Sequence, residues 1–304
     1  MNRRNLLKTT LAAGLPLLTG CGIAHGRNPV PLSRIIRPKK LKEGSIVRLI
    51  APGGPVNDAK VKKAIKNLET LGLTVQTGKN ILARNGQNAG TDAQRLEDLH
   101  SAFRDKKVEA VWAIRGGDGS TKLLPDIDFD LIAANPKILI GFSDITALLQ
   151  ANFIQTGLIG FHGPIGYWPL TEYNLSSLRA ALFTGEPGYV ISGNQQTETL
   201  RKGRATGQLT GGNLSLLVSL CGTKNGLDAT GKIIFIEDVG EAPRRIDRML
   251  TQLRQAANLG SAAGIILGEF LDCDCERSAT DPDKCEGNSL TLREVLKDRS
   301  LDLG

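Results

Sequence analysis

Four stretches of this 304-residue chain hold side chains that can do chemistry. In Ile138-Leu139-Ile140-Gly141-Phe142-Ser143-Asp144-Ile145-Thr146, an apolar run turns at a serine into a helical pattern. Such a serine stands at the carboxyl end of a parallel sheet, its hydroxyl beside the free amides of a helix start. A nucleophile and an oxyanion hole can coexist there. The run is not a full G-x-S-x-G, because position 145 is Ile, and Ser143 also reads as a helix N-cap. Arg115-Gly116-Gly117-Asp118-Gly119-Ser120 follows another strand, and its glycines either let backbone amides approach a ligand or form a tight turn. It is neither a Walker loop nor a dinucleotide fingerprint, so a nucleotide cofactor has little support. Glu237, with Asp238 beside it, ends an apolar strand, where a carboxylate can orient a histidine or be solvated. Asn213, after Gly211-Gly212, starts a helix and can bind a ligand carboxylate or cap that helix.

A serine mechanism needs a base, and the chain has three histidines. His25 lies near the N-terminus, and His100 belongs to an amphipathic helix and reads as exposed. His162 ends a short strand near the candidate serine, where it can act as a base or pack as an ordinary histidine. Cys273-Asp274-Cys275 with Cys285 can bind a metal, but an oxidising compartment favours a disulfide; Cys221 reads as a core residue. No metal or cofactor is expected at the serine site.

The elements that position these residues alternate between strand and helix, the pattern of a parallel α/β sheet. Strands are expected at 45–51, 73–77, 108–114, 137–142 and 158–161, in a nucleophile domain covering 45–166. The first helix turns Val61, Ala64, Ile65, Leu68 and Leu71 inward; Thr91 and Gln94 have capping-box spacing for the next, which carries Leu96, Leu99 and Phe103. Residues 167–205 read as a connection with edge strands. A smaller α/β domain follows over 206–304, with strands at 232–236 and 263–268 and a basic helix holding Arg244, Arg245 and Arg248.

The front of the chain reads as an address. Residues 1–20 have a basic start and a short apolar run, resembling a twin-arginine export signal, and Leu18-Thr19-Gly20-Cys21 resembles a lipobox with Cys21 as the lipidated residue. A basic tether over 21–44 would then lie against anionic headgroups on the periplasmic face of a bacterial membrane. Nine basic residues precede the first acid, Glu43, and the remaining 29 basic and 31 acidic residues nearly balance. A near-neutral body, only 4% aromatic, argues against nucleic acid as a partner. Size and composition also exclude disorder, collagen and a small disulfide scaffold.

Taken in order, Leu49-Ile50-Ala51-Pro52-Gly53-Gly54-Pro55, Arg95-Leu96-Glu97-Asp98-Leu99, Ala113-Ile114-Arg115-Gly116-Gly117, Gly141-Phe142-Ser143-Asp144-Ile145-Thr146-Ala147-Leu148, Gly211-Gly212-Asn213-Leu214 and Phe235-Ile236-Glu237-Asp238-Val239 resemble the LD-carboxypeptidase family of serine peptidases. The resemblance runs from about Ser45 to the end. It implies two α/β domains, the first like class I glutamine amidotransferases, in a metal-free homodimer. It makes Ser143 the nucleophile, Glu237 the triad acid, and the backbone amides of Gly117 and Asp144 the oxyanion donors. The implied reaction removes a terminal D-amino acid, typically D-alanine, from murein tetrapeptides in peptidoglycan recycling.

The chain departs from the family's pattern twice. Asp118 stands where relatives usually have Tyr, and no residue matches the histidine that relatives carry after their last helix. Three readings follow: a C-terminal domain truncated at Gly304, His162 as a substitute base, or a lipoprotein that binds muropeptides without cutting them. A metal-binding surface protein using the cysteine loop is the reading from a different class.

Overall fold

The apolar runs around Val47, Val111 and Ile140 become strands because helices cover both of their faces. The computed structural model describes residues 34–185, 190, 193, 197–274 and 290–300. Within them, β1 (Ile46–Ile50), β2 (Thr74–Thr77), β3 (Val108–Ala113), β4 (Ile138–Gly141) and β5 (Phe161–His162) form a wholly parallel sheet, ordered β2-β1-β3-β4-β5. On one face, α1 (Asp58–Thr70) packs Val61, Ala64 and Leu68 against Leu49, Trp112 and Ile140. On the other, α2 (Asp92–Arg104) and α5 (Thr146–Thr156) pack Leu99, Phe103, Leu148 and Ala151 against Ile50, Val111 and Leu139. The capping box expected at Thr91 and Gln94 starts α2. Short α3 (Ser120–Leu123) and α4 (Phe129–Ala134) complete that layer.

After β1 the chain turns first to β2 and then to β3 on the opposite side. The strand order therefore reverses between β1 and β3, the position at whose carboxyl end open α/β sheets bind ligands, and here Gly54 N of the β1 loop donates to Gly116 O of the β3 loop at 2.8 Å.

A second parallel sheet, ordered β6-β7-β8, comprises β6 (Leu209–Asn213), β7 (Ile233–Val239) and β8 (Gly264–Leu271). It shares a core with α7 (Leu214–Ser219), α8 (Pro243–Ala256) and α9 (Leu292–Ser300), around Leu217, Ile234, Ile246, Leu253 and Val295. It docks on α5: Asn213 N donates to Thr146 Oγ1 at 3.0 Å, Thr210 Oγ1 bonds Gln150 Oε1 at 3.1 Å, and Leu220 enters the core beside α2 and α5.

Several elements differ from the sequence expectation. Among the described residues of 167–205 the structure has helix and no edge strand: α6 (Glu172–Leu178) runs into a π-helical turn, Arg179–Thr184. Its Leu175, Leu178 and Leu182, at helical spacing, join the core beneath α1. The segment Arg34–Gly44, expected as a free tether, is bound to the body by Leu41, which is buried, and by Ile36, which bridges Leu158. That bridge takes Leu158 out of the fifth strand, which shifts to Phe161–His162. β6 was not expected, because its glycines mask a strand pattern; Gly211, at φ +135°, leaves no room for a Cβ against Phe235 O. β7 continues past Ile236 to Val239, because β8 pairs Phe270 and Leu271 with Asp238 and Val239.

Candidate active site

β4 ends at Gly141, and two residues later Ser143 sits in the left-handed region at φ +60°, one of three non-glycine residues there among those described. That conformation costs a serine about 1 kcal/mol. Ser143 is not the helix cap it also resembled: Phe142 occupies the N-cap position of the turn Ser143–Ile145, and no side chain caps it. The turn presses Ser143 against the loop after β3. A Cβ on Gly116 would fall 2.9 Å from Ser143 Cβ and 3.2 Å from its Oγ. Gly117, at φ +107°, follows at the exposed mouth and packs on Gly54 of the β1 loop.

Asp144 faces inward. Its Oδ2 accepts from Ser120 N at 3.0 Å, while Ser120 Oγ donates to Asp144 O. Burial pushes its carboxyl up to about 6, against the lowering effect of the Ser120 bonds. Beneath these loops lies Arg95, 1% exposed. Its Nη1 donates to Pro52 O at 2.6 Å and to Gly119 O at 2.9 Å, and its Nη2 pairs with Asp92. One guanidinium thus joins the β1 and β3 loops.

From the far side, β5 brings His162 level with Gly141 of β4. Its ring lies 5.0 Å from Phe142 and 5.5 Å from Phe235, and its Nε2 is 3.5 Å from Glu237 Oε1. Glu237 is no solvated strand end, as it lies within β7 and is 4% exposed. Both ring nitrogens of His162 and Glu237 Oε1 are buried without a hydrogen-bond partner. Burial pushes His162 down to about 4, and burial, then the Asp238 charge, pushes Glu237 up to about 7. Desolvation thus drives both groups toward their neutral forms: an imidazole able to accept a proton, beside a carboxyl that holds one below neutral pH.

The site joins loops of one parallel sheet to a carboxylate of the next, with a strained serine at the junction. Models of the LD-carboxypeptidase N-terminal domain and C-terminal domain match residues 47–163 and 206–304. The chain belongs to the LD-carboxypeptidase family. It is 42% identical over 273 residues to a probable murein peptide carboxypeptidase of Bacillus subtilis, covering 88% of this chain and 83% of that one. It is 37% identical over 266 residues to the murein tetrapeptide carboxypeptidase of Pseudomonas aeruginosa, covering 82% and 84%. The crystal structure of an MccF-like protein from Bacillus anthracis superposes with a TM-score of 0.74 at 28% identity, covering 88% of this chain and 87% of that one.

Within this member of the LD-carboxypeptidase family, Asn213 has its side chain engaged internally. Oδ1 accepts from Leu216 N, capping α7, and Nδ2 donates to Asp238 Oδ1 at 2.9 Å. Asp238 also accepts from Ser215 N, Ser215 Oγ and Val239 N. Its full set of donors holds the β7 backbone beside Glu237. Asp118 is exposed at the mouth, and its carbonyl accepts from Asn88 Nδ2. Arg95, Ser120 and Asp238 stand in the motifs singled out from the sequence but received no role there, although Arg95 left a signal: it shares the apolar face of α2 with Leu99 and Phe103, where a charge needs a buried partner.

The remaining candidates lie elsewhere. His100 is half-buried, not exposed, and accepts from Asp128 N at the start of α4. Cys221 and Cys273 belong to the core of the second sheet. Cys21, the export signal, Cys275 and Cys285 lie outside the described residues.

Proposed function

We propose that this chain is a serine LD-carboxypeptidase that releases D-alanine from murein tetrapeptides, exported as a lipoprotein anchored through Cys21 and working as a homodimer. Ser143 Oγ attacks the carbonyl carbon of the L-centre preceding the terminal D-alanine, and its proton passes to a histidine. The oxyanion rests on the amides of Gly117 and Asp144. The tetrahedral adduct collapses as the histidine returns the proton to the D-alanine amine, and water then cleaves the acyl-serine. This reading assigns the base to His162, beside Glu237, whose carboxylate, once ionised above about pH 7, orients the imidazole and stabilises its charged form.

The observation that carries the reading is the left-handed Ser143 at the end of β4, pressed against Gly116. Strain of this kind collects where function demands a fixed geometry. A second reading, binding without cleavage, is favoured by the unbonded nitrogens of His162. Chromatography of a murein tetrapeptide incubated with the protein separates the two. The proposal expects equal amounts of tripeptide and free D-alanine, whereas tetrapeptide recovered intact and protein-bound supports the second reading.

A further inference from the structure

Five basic side chains, Arg34, Arg37, Lys39, Lys40 and Lys42, are exposed along Arg34–Gly44, against one acid, Glu43. The segment is pinned to the body. Ile36 N donates to Gly157 O at 2.8 Å, Ile159 N donates to Ile36 O at 3.0 Å, and Leu41 N donates to Leu182 O at 2.9 Å. With Leu41 turned into the core, its basic neighbours point to solvent.

The segment leads from the amino end of β5, through the Ile36–Leu158 bridge, to the amino end of β1. All strands of the sheet are parallel, so this is one edge of the molecule, and the turn before β3 adds exposed Arg104, Lys106 and Lys107 to it. Of the acids there, Glu69 at the end of α1 is exposed like Glu43, whereas Asp105 pairs with Arg48 at 3.0 Å and Glu109 accepts from Ser45 Oγ. Ser143, Gly117 and His162 occupy the opposite, carboxyl end of the same strands.

We infer that this amino-end edge docks on an anionic phospholipid surface and holds the mouth of the site away from the bilayer. The inference rests on the proposed export and anchoring. Cys21 precedes Arg34 by 13 residues, a span of at most about 45 Å, so a lipid there tethers the chain through this edge, and the basic charge on the edge selects it over the carboxyl end for the bilayer. Charge complementarity selects the partner: each basic group close to an anionic leaflet raises partitioning about fivefold.

The test uses the chain from Gly22 onward, which keeps every described residue and carries no lipid. Flotation with mixed phosphatidylglycerol–phosphatidylcholine vesicles is compared with pure phosphatidylcholine, at low and high salt. The variant Lys39→Glu/Lys40→Glu is set against Lys79→Glu/Arg84→Glu, which changes the charge equally away from this edge. Binding to the anionic vesicles that high salt abolishes, lowered more than about tenfold by the first pair and less than about twofold by the second, is the expected result. Equal losses in both pairs, or no binding to anionic vesicles, would overturn it. D-Alanine release from soluble tetrapeptide, measured on the same preparations, and the mass of the peptide containing Cys21 from exported protein report on the enzymatic and anchoring readings separately.

Discussion

His162 Nε2 and Glu237 Oε1 lie 3.5 Å apart across the joint between the two sheets, one group on β5 and the other on β7. Neither atom has a hydrogen-bond partner, and each group is displaced toward its neutral form. A catalytic function for the pair therefore depends on how the two sheets are held together, and the hydrogen bond from Asn213 N to Thr146 Oγ1 is one of the ties between them.

The pair makes an opposed contribution to stability with pH. Glu237 is raised to about 7, so its stabilising contribution is full below its unfolded value and is lost as pH rises toward 7. His162 is lowered to about 4, so its contribution is full above its unfolded value and is lost as pH falls toward 4. Glu237→Gln removes the first term alone. Its melting temperature relative to wild type should rise from pH 5 to pH 8, by an amount equivalent to about 2 kcal/mol. A constant difference across that range would place Glu237 in a solvated setting.

Ser143→Gly should abolish D-alanine release and yet be no less stable than wild type, because the strain glycine relieves at φ +60° offsets the freedom it adds to the unfolded chain. Thermal unfolding of the variant beside Ser143→Ala checks this; a glycine variant no more stable than the alanine one would show that the backbone is relaxed there.

Gly116→Ala drives a methyl to 2.9 Å from Ser143 Cβ and 3.0 Å from Phe142 O. The turn must shift to admit it, and a displacement near 1 Å in a catalytic group costs on the order of 100-fold in rate. We expect kcat for D-alanine release to fall by that order while circular dichroism stays that of the wild type.

Arg95→Met leaves Pro52 O, Gly119 O and Asp92 without their buried donor, and should cost about 3 kcal/mol in denaturant unfolding. Arg95→Lys supplies a single ammonium nitrogen in place of the planar fork, and one nitrogen cannot span the positions that two guanidinium nitrogens reach. In that variant, kcat should fall more than KM rises, because the loops shift around the reacting carbonyl rather than around the distal part of the substrate.

Much of this site was legible in the sequence because turns and strands leave local marks. Ser143 at a strand-to-helix turn, the glycines after β3, and the capping box of α2 depend on neighbours within a few residues, and all formed where expected. What the sequence concealed depends on distant partners. β6 exists because β7 pairs its glycines, and Leu41 is buried because Leu182 receives its amide. The spacing of Arg95 with Leu99 and Phe103 marks it as inward-facing, but not its partners, Pro52 O and Gly119 O, which lie 43 and 24 positions away. The approach of His162 to Glu237 spans 75 positions and two sheets, so no local pattern records it.

The most direct test of the account is the rate of D-alanine release from a murein tetrapeptide ending in D-alanine, and from its epimer ending in L-alanine, by wild type, Ser143→Ala and His162→Ala. The account predicts release from the D-terminated peptide alone, lost by at least about 1,000-fold in each variant. Release that persists in folded Ser143→Ala would contradict it outright, and release that persists in His162→Ala would remove His162 as the base while leaving Ser143 as the nucleophile.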